Sequence, residues 1–228
     1  MSRHDPDELQ AARAQLVSYS ARLLADGLAV GSAGNISLRA GDIVAITPSG
    51  IPYGQMHAAD VCLVTLDGAQ LPGGAGPAPE TPSSETPMHL AVYAATGAAA
   101  VVHTHSPEVI ALSSARPELP AIHYAITALG GPVRVAPYVR FGSAALAAAA
   151  VGALAGRSAA ILRNHGALTY GRDLEQAYDR AVLLEWLART YRLALSYGEP
   201  ATLSPAELDE VTAETRRRHY GERRGDPL

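Results

Sequence analysis

Short apolar runs alternate with helix-length segments along the whole chain, and glycine, proline or small polar residues mark nearly every change. This alternation limits the fold more than any other feature. The runs at 42–47, 61–66, 99–103, 133–136, 159–163 and 167–170 predict strands. Another short strand follows the small-residue turn in Gly31-Ser32-Ala33-Gly34-Asn35-Ile36-Ser37-Leu38. Helices are expected at 7–27, 85–96, 143–154, 173–197 and 205–218, with one more starting at Ser106-Pro107. In the first, Leu9, Leu16, Leu23 and Leu24 lie on one side and Gly27 caps the end. In the second, Pro87 falls in the first turn, where proline is tolerated. Residues 71–82, rich in Gly and Pro, read as a surface loop, and the basic end at 216–224 reads as a frayed tail. The chain has no internal repeat and no break in composition. One α/β or α+β domain of two or three layers is expected over its 228 residues.

Composition then restricts the chemistry. All 18 basic residues are arginine. Without lysine there is no protein Schiff base, no internal aldimine with pyridoxal phosphate and no Walker A lysine. The one cysteine, Cys62, excludes an intrachain disulfide and a cysteine-rich zinc site. A formal net charge of −4 gives no electrostatic attraction to nucleic acid or to a membrane surface. No apolar run reaches the roughly 18–20 residues that span a bilayer. Residues 1–10 are polar and acidic, unlike a signal peptide. A cytoplasmic location is expected. The eight histidines, His4, His57, His89, His103, His105, His123, His165 and His219, are the natural candidates for chemistry.

His103-Thr104-His105 ends an apolar strand, so its two imidazoles project from one face and suit one metal ion. Taken alone, the pair suits two buried histidines beside a helix cap at Ser106 equally well. His165 occupies a turn between two strands and can reach another strand end, or simply be a turn residue. Glu85 opens a helix after Ser83-Ser84. The helix dipole favours an acid there, and so does a role as general base near a metal. The turns Gly34-Asn35, Pro48-Ser49-Gly50 and Ser83-Ser84 offer backbone N–H groups to an anion without any lysine. Each is also an ordinary turn or cap. Tyr124 and Tyr220 are phenols able to move protons. His57, His89 and His123 read as structural.

In order, the segments GSAGNIS at 31–37, ITPSGIPY at 46–53, PSSETPMH at 82–89, VVHTHSP at 101–107, PAIHY at 120–124 and NHG at 164–166 resemble the class II aldolase/adducin family. The resemblance covers about residues 7–220. Segments 46–53 and 120–124, with APY at 136–138 and FG at 141–142, are most like its L-fuculose-1-phosphate aldolases. Thr86-Pro87-Met88 departs from the bulkier aromatic and basic residues that follow the glutamate in those enzymes.

The resemblance implies a three-layer α/β/α fold with a mostly antiparallel central sheet. It also implies a C4 homotetramer with active sites between subunits. It assigns zinc, or manganese or cobalt in its place, to His103, His105 and His165, with Glu85 in the ligand sphere until substrate arrives. It assigns substrate phosphate to Asn35, Ser49, Gly50, Ser83 and Ser84. Proton transfer falls to Tyr124 from an adjacent subunit and to Tyr220 of a mobile C-terminal tail that begins near 215. The implied reaction is reversible cleavage of a ketose 1-phosphate, like L-fuculose 1-phosphate, to dihydroxyacetone phosphate and a short aldehyde. Missing lysine agrees with this: with no iminium available, a metal is the remaining sink for the charge left by breaking a carbon–carbon bond beside a ketone. The same fold also serves sugar-phosphate 4-epimerases, dehydratases and decarboxylases, and a non-catalytic scaffold in adducin.

Overall fold

The computed structural model describes residues 6–72 and 80–218. In chain order the elements are α1 (Pro6–Ala25), β1 (Asn35–Ala40), β2 (Ile43–Ile46), β3 (Cys62–Thr65), α2 (Thr86–Ala95), β4 (Ala100–Thr104) and α3 (Pro107–Ala115). They continue with β5 (Glu118–Leu119), β6 (Val133–Ala136), α4 (Ala144–Leu154), β7 (Ala159–Leu162), β8 (Gly166–Gly171), α5 (Leu174–Leu195) and α6 (Pro205–Arg217). Local chemistry sets several of the helix starts. The side chains of Ser143 and Asp173 accept from the N–H groups of Leu146 and Gln176, and Ser204 forms a capping box with Glu207.

The strands form one eight-stranded sheet in the order β3-β2-β1-β4-β8-β7-β6-β5. Against the expectation of a mostly antiparallel sheet, the finding is a mixed one. β6 and β7 run parallel, and the other neighbours pair antiparallel. The reason is topological. Parallel neighbours need a crossover between them, and α4 supplies it. The two-residue β5 was not expected from the sequence.

Strand side chains alternate between two sets of helices. Ile43, Ala45, Ala100 and Val102 pack with residues of α1 and α5, while Ala159, Ile161 and Ala167 join α3 and α5. Val44, Ile46, Val101, Ala160, Leu162 and Leu168 turn the other way, to α2 and α4. Each fully buried aliphatic side chain contributes roughly 1.5–3 kcal/mol. Together they fix β4, near the middle of the sheet, as a rigid support. α6 reaches Arg217, so residues 215–217 of the expected tail are helical, with Arg217 paired to Glu214 at 2.6 Å. Tyr220 lies outside the described residues. Among the described residues, no helix is long and apolar enough to cross a membrane.

Candidate metal centre

Three strand ends and one helix start meet at one end of the central strands of the sheet. Register places Asn35 of β1 directly across β4 from His103, and His103 across β8 from Leu168. His105 follows β4 by one residue and donates its backbone N–H to Leu28 O at 2.9 Å. His165 stands in the tight turn between β7 and β8, just after Asn164, whose φ of 54° is left-handed. Gly166, next in the chain, lies so close to β4 that a Cβ would sit 2.0 Å from Thr104 O. Only glycine lets this turn approach. Gly34 does the same on the other side: its φ is 75°, and a Cβ would stand 2.6 Å from His103 O.

Glu85 is the N-cap of α2 rather than its first helical residue, and its side chain makes no capping bond. The side chain turns toward those strand ends instead. Oε2 lies 2.9 Å from His103 Nε2, and Oε1 lies 3.3 Å from His165 Nε2. His103 Nε2 and His105 Nε2 are 3.1 Å apart. The three rings stand edge to face, with centroids 4.9–5.0 Å apart. One ligand atom from each of Glu85, His103, His105 and His165 falls within 4.8 Å of the others.

The electrostatics keep the carboxylate at the centre ionised. His103 Nδ1 faces Ala167 O at 2.8 Å and donates to it, which turns Nε2 toward the carboxylate and the other rings. Glu85 Oε1 is buried and has no hydrogen-bond partner. Burial pushes the Glu85 carboxyl up. The charge and hydrogen bond of His103, the charge of His165 and the Asn35 amide outweigh burial and hold it well below the usual carboxylate range. His103 is raised: burial works against its charged form, but the Glu85 carboxylate prevails. Burial, and then the positive charge of His103, bring both His105 and His165 down to about 4. Two neutral imidazoles, a third with its outer nitrogen tied to a carbonyl, and an ionised carboxylate with an orphaned oxygen suit a divalent cation of the zinc type.

The group opens into a cavity of about 340 Å³. All five residues expected to bind phosphate line it: Asn35, Ser49, Gly50, Ser83 and Ser84. An isolated bridge between Pro48 and Pro82 sets the two serine turns side by side. The backbone N–H groups of Ser49 and Ser83 are already given to Thr81 O and Thr47 O. That leaves the hydroxyls of these two serines, not their backbone N–H groups, to offer to an anion. Asn35 has another task, since its Nδ2 donates to Glu85 Oε2 at 3.0 Å. Tyr138 and Phe141, both largely exposed, line the same cavity.

Tyr124 is not among the lining residues. It is 56% exposed, in a 3₁₀ turn over Tyr124–Leu129, and stacks on His123. His123 Nδ1 caps that turn by accepting from the Ala125 N–H. His89, expected to be structural, is wholly buried and bonded to Ser37 and Asn35 behind Glu85. The spacing Glu85-His89-Tyr93, one helical turn at a time, was the available signal for that arrangement.

Comparison with known proteins agrees with this geometry. The family profile described as Class II Aldolase and Adducin N-terminal domain matches residues 14–192. A 5-deoxy-D-ribulose 1-phosphate aldolase of Bacillus thuringiensis serovar kurstaki is 37% identical over 206 residues, covering 89% of this chain and 94% of the relative. A 5-methylthioribulose-1-phosphate/5-deoxyribulose-1-phosphate aldolase of Rhodospirillum rubrum is 35% identical over 90% of this chain and 91% of its own length. A solved L-fuculose 1-phosphate aldolase superposes with a TM-score of 0.86 at 32% identity, covering 95% of this chain and all of that one.

Proposed function

This chain belongs to the class II aldolase and adducin family, and on that premise we propose that it reversibly cleaves a ketose 1-phosphate to dihydroxyacetone phosphate and a short aldehyde. Its relatives are lyases of phosphorylated sugars, and the chain is an enzyme of that class. One observation carries the specific reading. Three imidazoles and a carboxylate converge, and Glu85, His105 and His165 of that group line the same cavity as the small-residue turns.

His103, His105 and His165 would hold the cation, zinc by preference, with manganese or cobalt able to replace it. Bound there, the cation supplies Lewis-acid stabilisation of negative charge beside a carbonyl, worth several kcal/mol on the barrier. The chain's own groups do the rest. Ser49, Gly50, Ser83 and Ser84 anchor the phosphate and set the register of the substrate. Binding energy gathered there, away from the scissile bond, supports orientation at it. Glu85 lines the cavity, and its Oε1 accepts no hydrogen bond. It takes a proton from the carbon of the dihydroxyacetone phosphate portion in condensation and returns it after cleavage. Asn35 holds the other oxygen.

Protonation of the departing aldehyde oxygen goes to Tyr124. In its own chain Tyr124 is exposed and outside the cavity. We assign the role to Tyr124 of a neighbouring copy, in a homotetramer with sites between subunits. Tyr220 is proposed to act from the tail in the same way. We read the fold as three layers in a single domain, from the two helix sets on opposite faces of the sheet. Relatives are named as aldolases of 5-deoxyribulose, 5-methylthioribulose and fuculose phosphates, which supports a ketose 1-phosphate as substrate.

The test is incubation with L-fuculose 1-phosphate, L-ribulose 1-phosphate and their 5-deoxy analogues, with dihydroxyacetone phosphate read through a coupled reductase. Chelator-sensitive release from at least one is expected. No release from any of them rejects the reading.

A further inference from the structure

Behind Glu85 runs a line of buried polar groups that metal binding alone does not explain. Tyr93 Oη is 2.8 Å from Ser37 Oγ, and Ser37 Oγ is 2.7 Å from His89 Nδ1. His89 Nε2 is 2.5 Å from Asn35 Oδ1, and Asn35 Nδ2 is 3.0 Å from Glu85 Oε2. All five residues are buried. Two come from one face of β1, at i and i+2. The others come from α2 and its N-cap, at i, i+4 and i+8, so two rows face each other.

The line has one polarity. A carboxylate only accepts, so Asn35 turns its N–H toward Glu85 and its oxygen toward His89. That oxygen needs a donor, which puts the ring proton of His89 on Nε2. Nδ1 must then accept, so Ser37 donates to it and Tyr93 donates to Ser37. Burial, and then the neighbouring positive charge of His103, bring the His89 pKa down to about 3, so the ring carries a single proton. Burial raises Tyr93, which keeps its hydroxyl a donor. The reverse polarity would set an amide oxygen against an ionised carboxylate.

We propose that His89 is a positioning residue for Glu85: by fixing the direction of the Asn35 amide it pins Oε2 and leaves Oε1 to face cation and substrate. Its kinetic consequence rests on the aldolase reading; its geometric content does not. If the line were only buried hydrogen bonding, losing it would lower stability and leave the carboxylate alone.

Nitrogen NMR of the histidine-labelled, metal-free protein tests the polarity directly. His89 is expected as the Nε2–H tautomer at neutral pH, and an Nδ1–H tautomer overturns the proposal. His89→Phe and His89→Gln then test the positioning with cobalt(II) in the site. The Phe variant is expected to change the visible cobalt spectrum and to lower kcat roughly 10–100-fold, with KM held within about threefold. The Gln variant, with an amide N–H near the place of Nε2, is expected to restore most of both. A folded Phe variant with the wild-type spectrum and kcat, or a Gln variant as impaired as Phe, overturns the proposal. If Phe does not fold, Ser37→Ala replaces it in the tautomer test: the Asn35 oxygen still demands a donor, so Nε2–H is expected to persist, and a switch to Nδ1–H overturns the proposal. Wild-type protein that cleaves no ketose phosphate, yet shows the expected tautomer and the cobalt shift in His89→Phe, discards the aldolase reading and supports the positioning.

Discussion

His103 and His89 are both wholly buried on the same side of the sheet, one on each side of Glu85, yet they are prepared for opposite tasks. His103 has one ring nitrogen tied to a backbone carbonyl and the other turned to a carboxylate and two further imidazoles. His89 has both nitrogens engaged by neutral partners, Ser37 and Asn35. The shifts follow. Burial opposes charge on both rings, but only His103 has an ionised carboxylate against it, so it is raised while His89 falls to about 3. Burial therefore does not define the role of a histidine here; what the second nitrogen faces does.

The largest break in this contrast is His103→Ala. It removes a ligand and opens the support for His105, so cation and activity are expected to go together. Loss of several kcal/mol of charge stabilisation corresponds to more than about a thousandfold in turnover. Metal analysis beside a kinetic assay checks it, and full activity with the metal retained would separate the two. Glu85→Gln comes next. Turnover is expected to fall roughly a hundredfold or more, the ordinary weight of a general base, while most of the cation stays on the three imidazoles. A Gln variant with full turnover removes Glu85 from that role.

Acidification sharpens the comparison without mutation. His89, His105 and His165 are all held neutral well below the usual 6.5. Between about pH 6.5 and 4 the unfolded chain therefore binds more protons at these positions than the folded one. They make stability fall as pH drops through that window, and the raised His103 works against them. Denaturant unfolding at stepped pH between about 6.5 and 4 is expected to show that fall, and stability that stays flat across the window would contradict it. The smallest effect is expected from Ser37→Ala, which leaves His89 Nδ1 and the Tyr93 hydroxyl short of a partner. A loss of about 1–3 kcal/mol by denaturant unfolding is expected, with the cation content unchanged.

The order of strands and helices was legible because each run was long enough to show its period. β5 was not: two residues have no period, and they form a strand only because Glu118 and Leu119 pair with Arg134 and Val133. The parallel β6–β7 pair depends on which edge the α4 crossover returns to, which no local pattern states. In the site, His103 and His105 were visible in their own spacing. Glu85, His165 and the serine turns gained meaning only from the family resemblance, because their meeting point depends on β1, β4 and β8 lying side by side. The partners of His89 were hidden for the same reason. Asn35 and Ser37 share a strand face and Glu85, His89 and Tyr93 share a helix face, but only the packing of α2 across β1 joins the two rows.

The central claim is that three imidazoles and one carboxylate grip a single cation. X-ray absorption at the zinc edge of the loaded protein measures that directly. Three nitrogen scatterers at about 2.0–2.1 Å, with imidazole multiple scattering and the remaining shell oxygen, is the expected result. Zinc that fails to bind in stoichiometric amount, or binds with no imidazole signature, would contradict it.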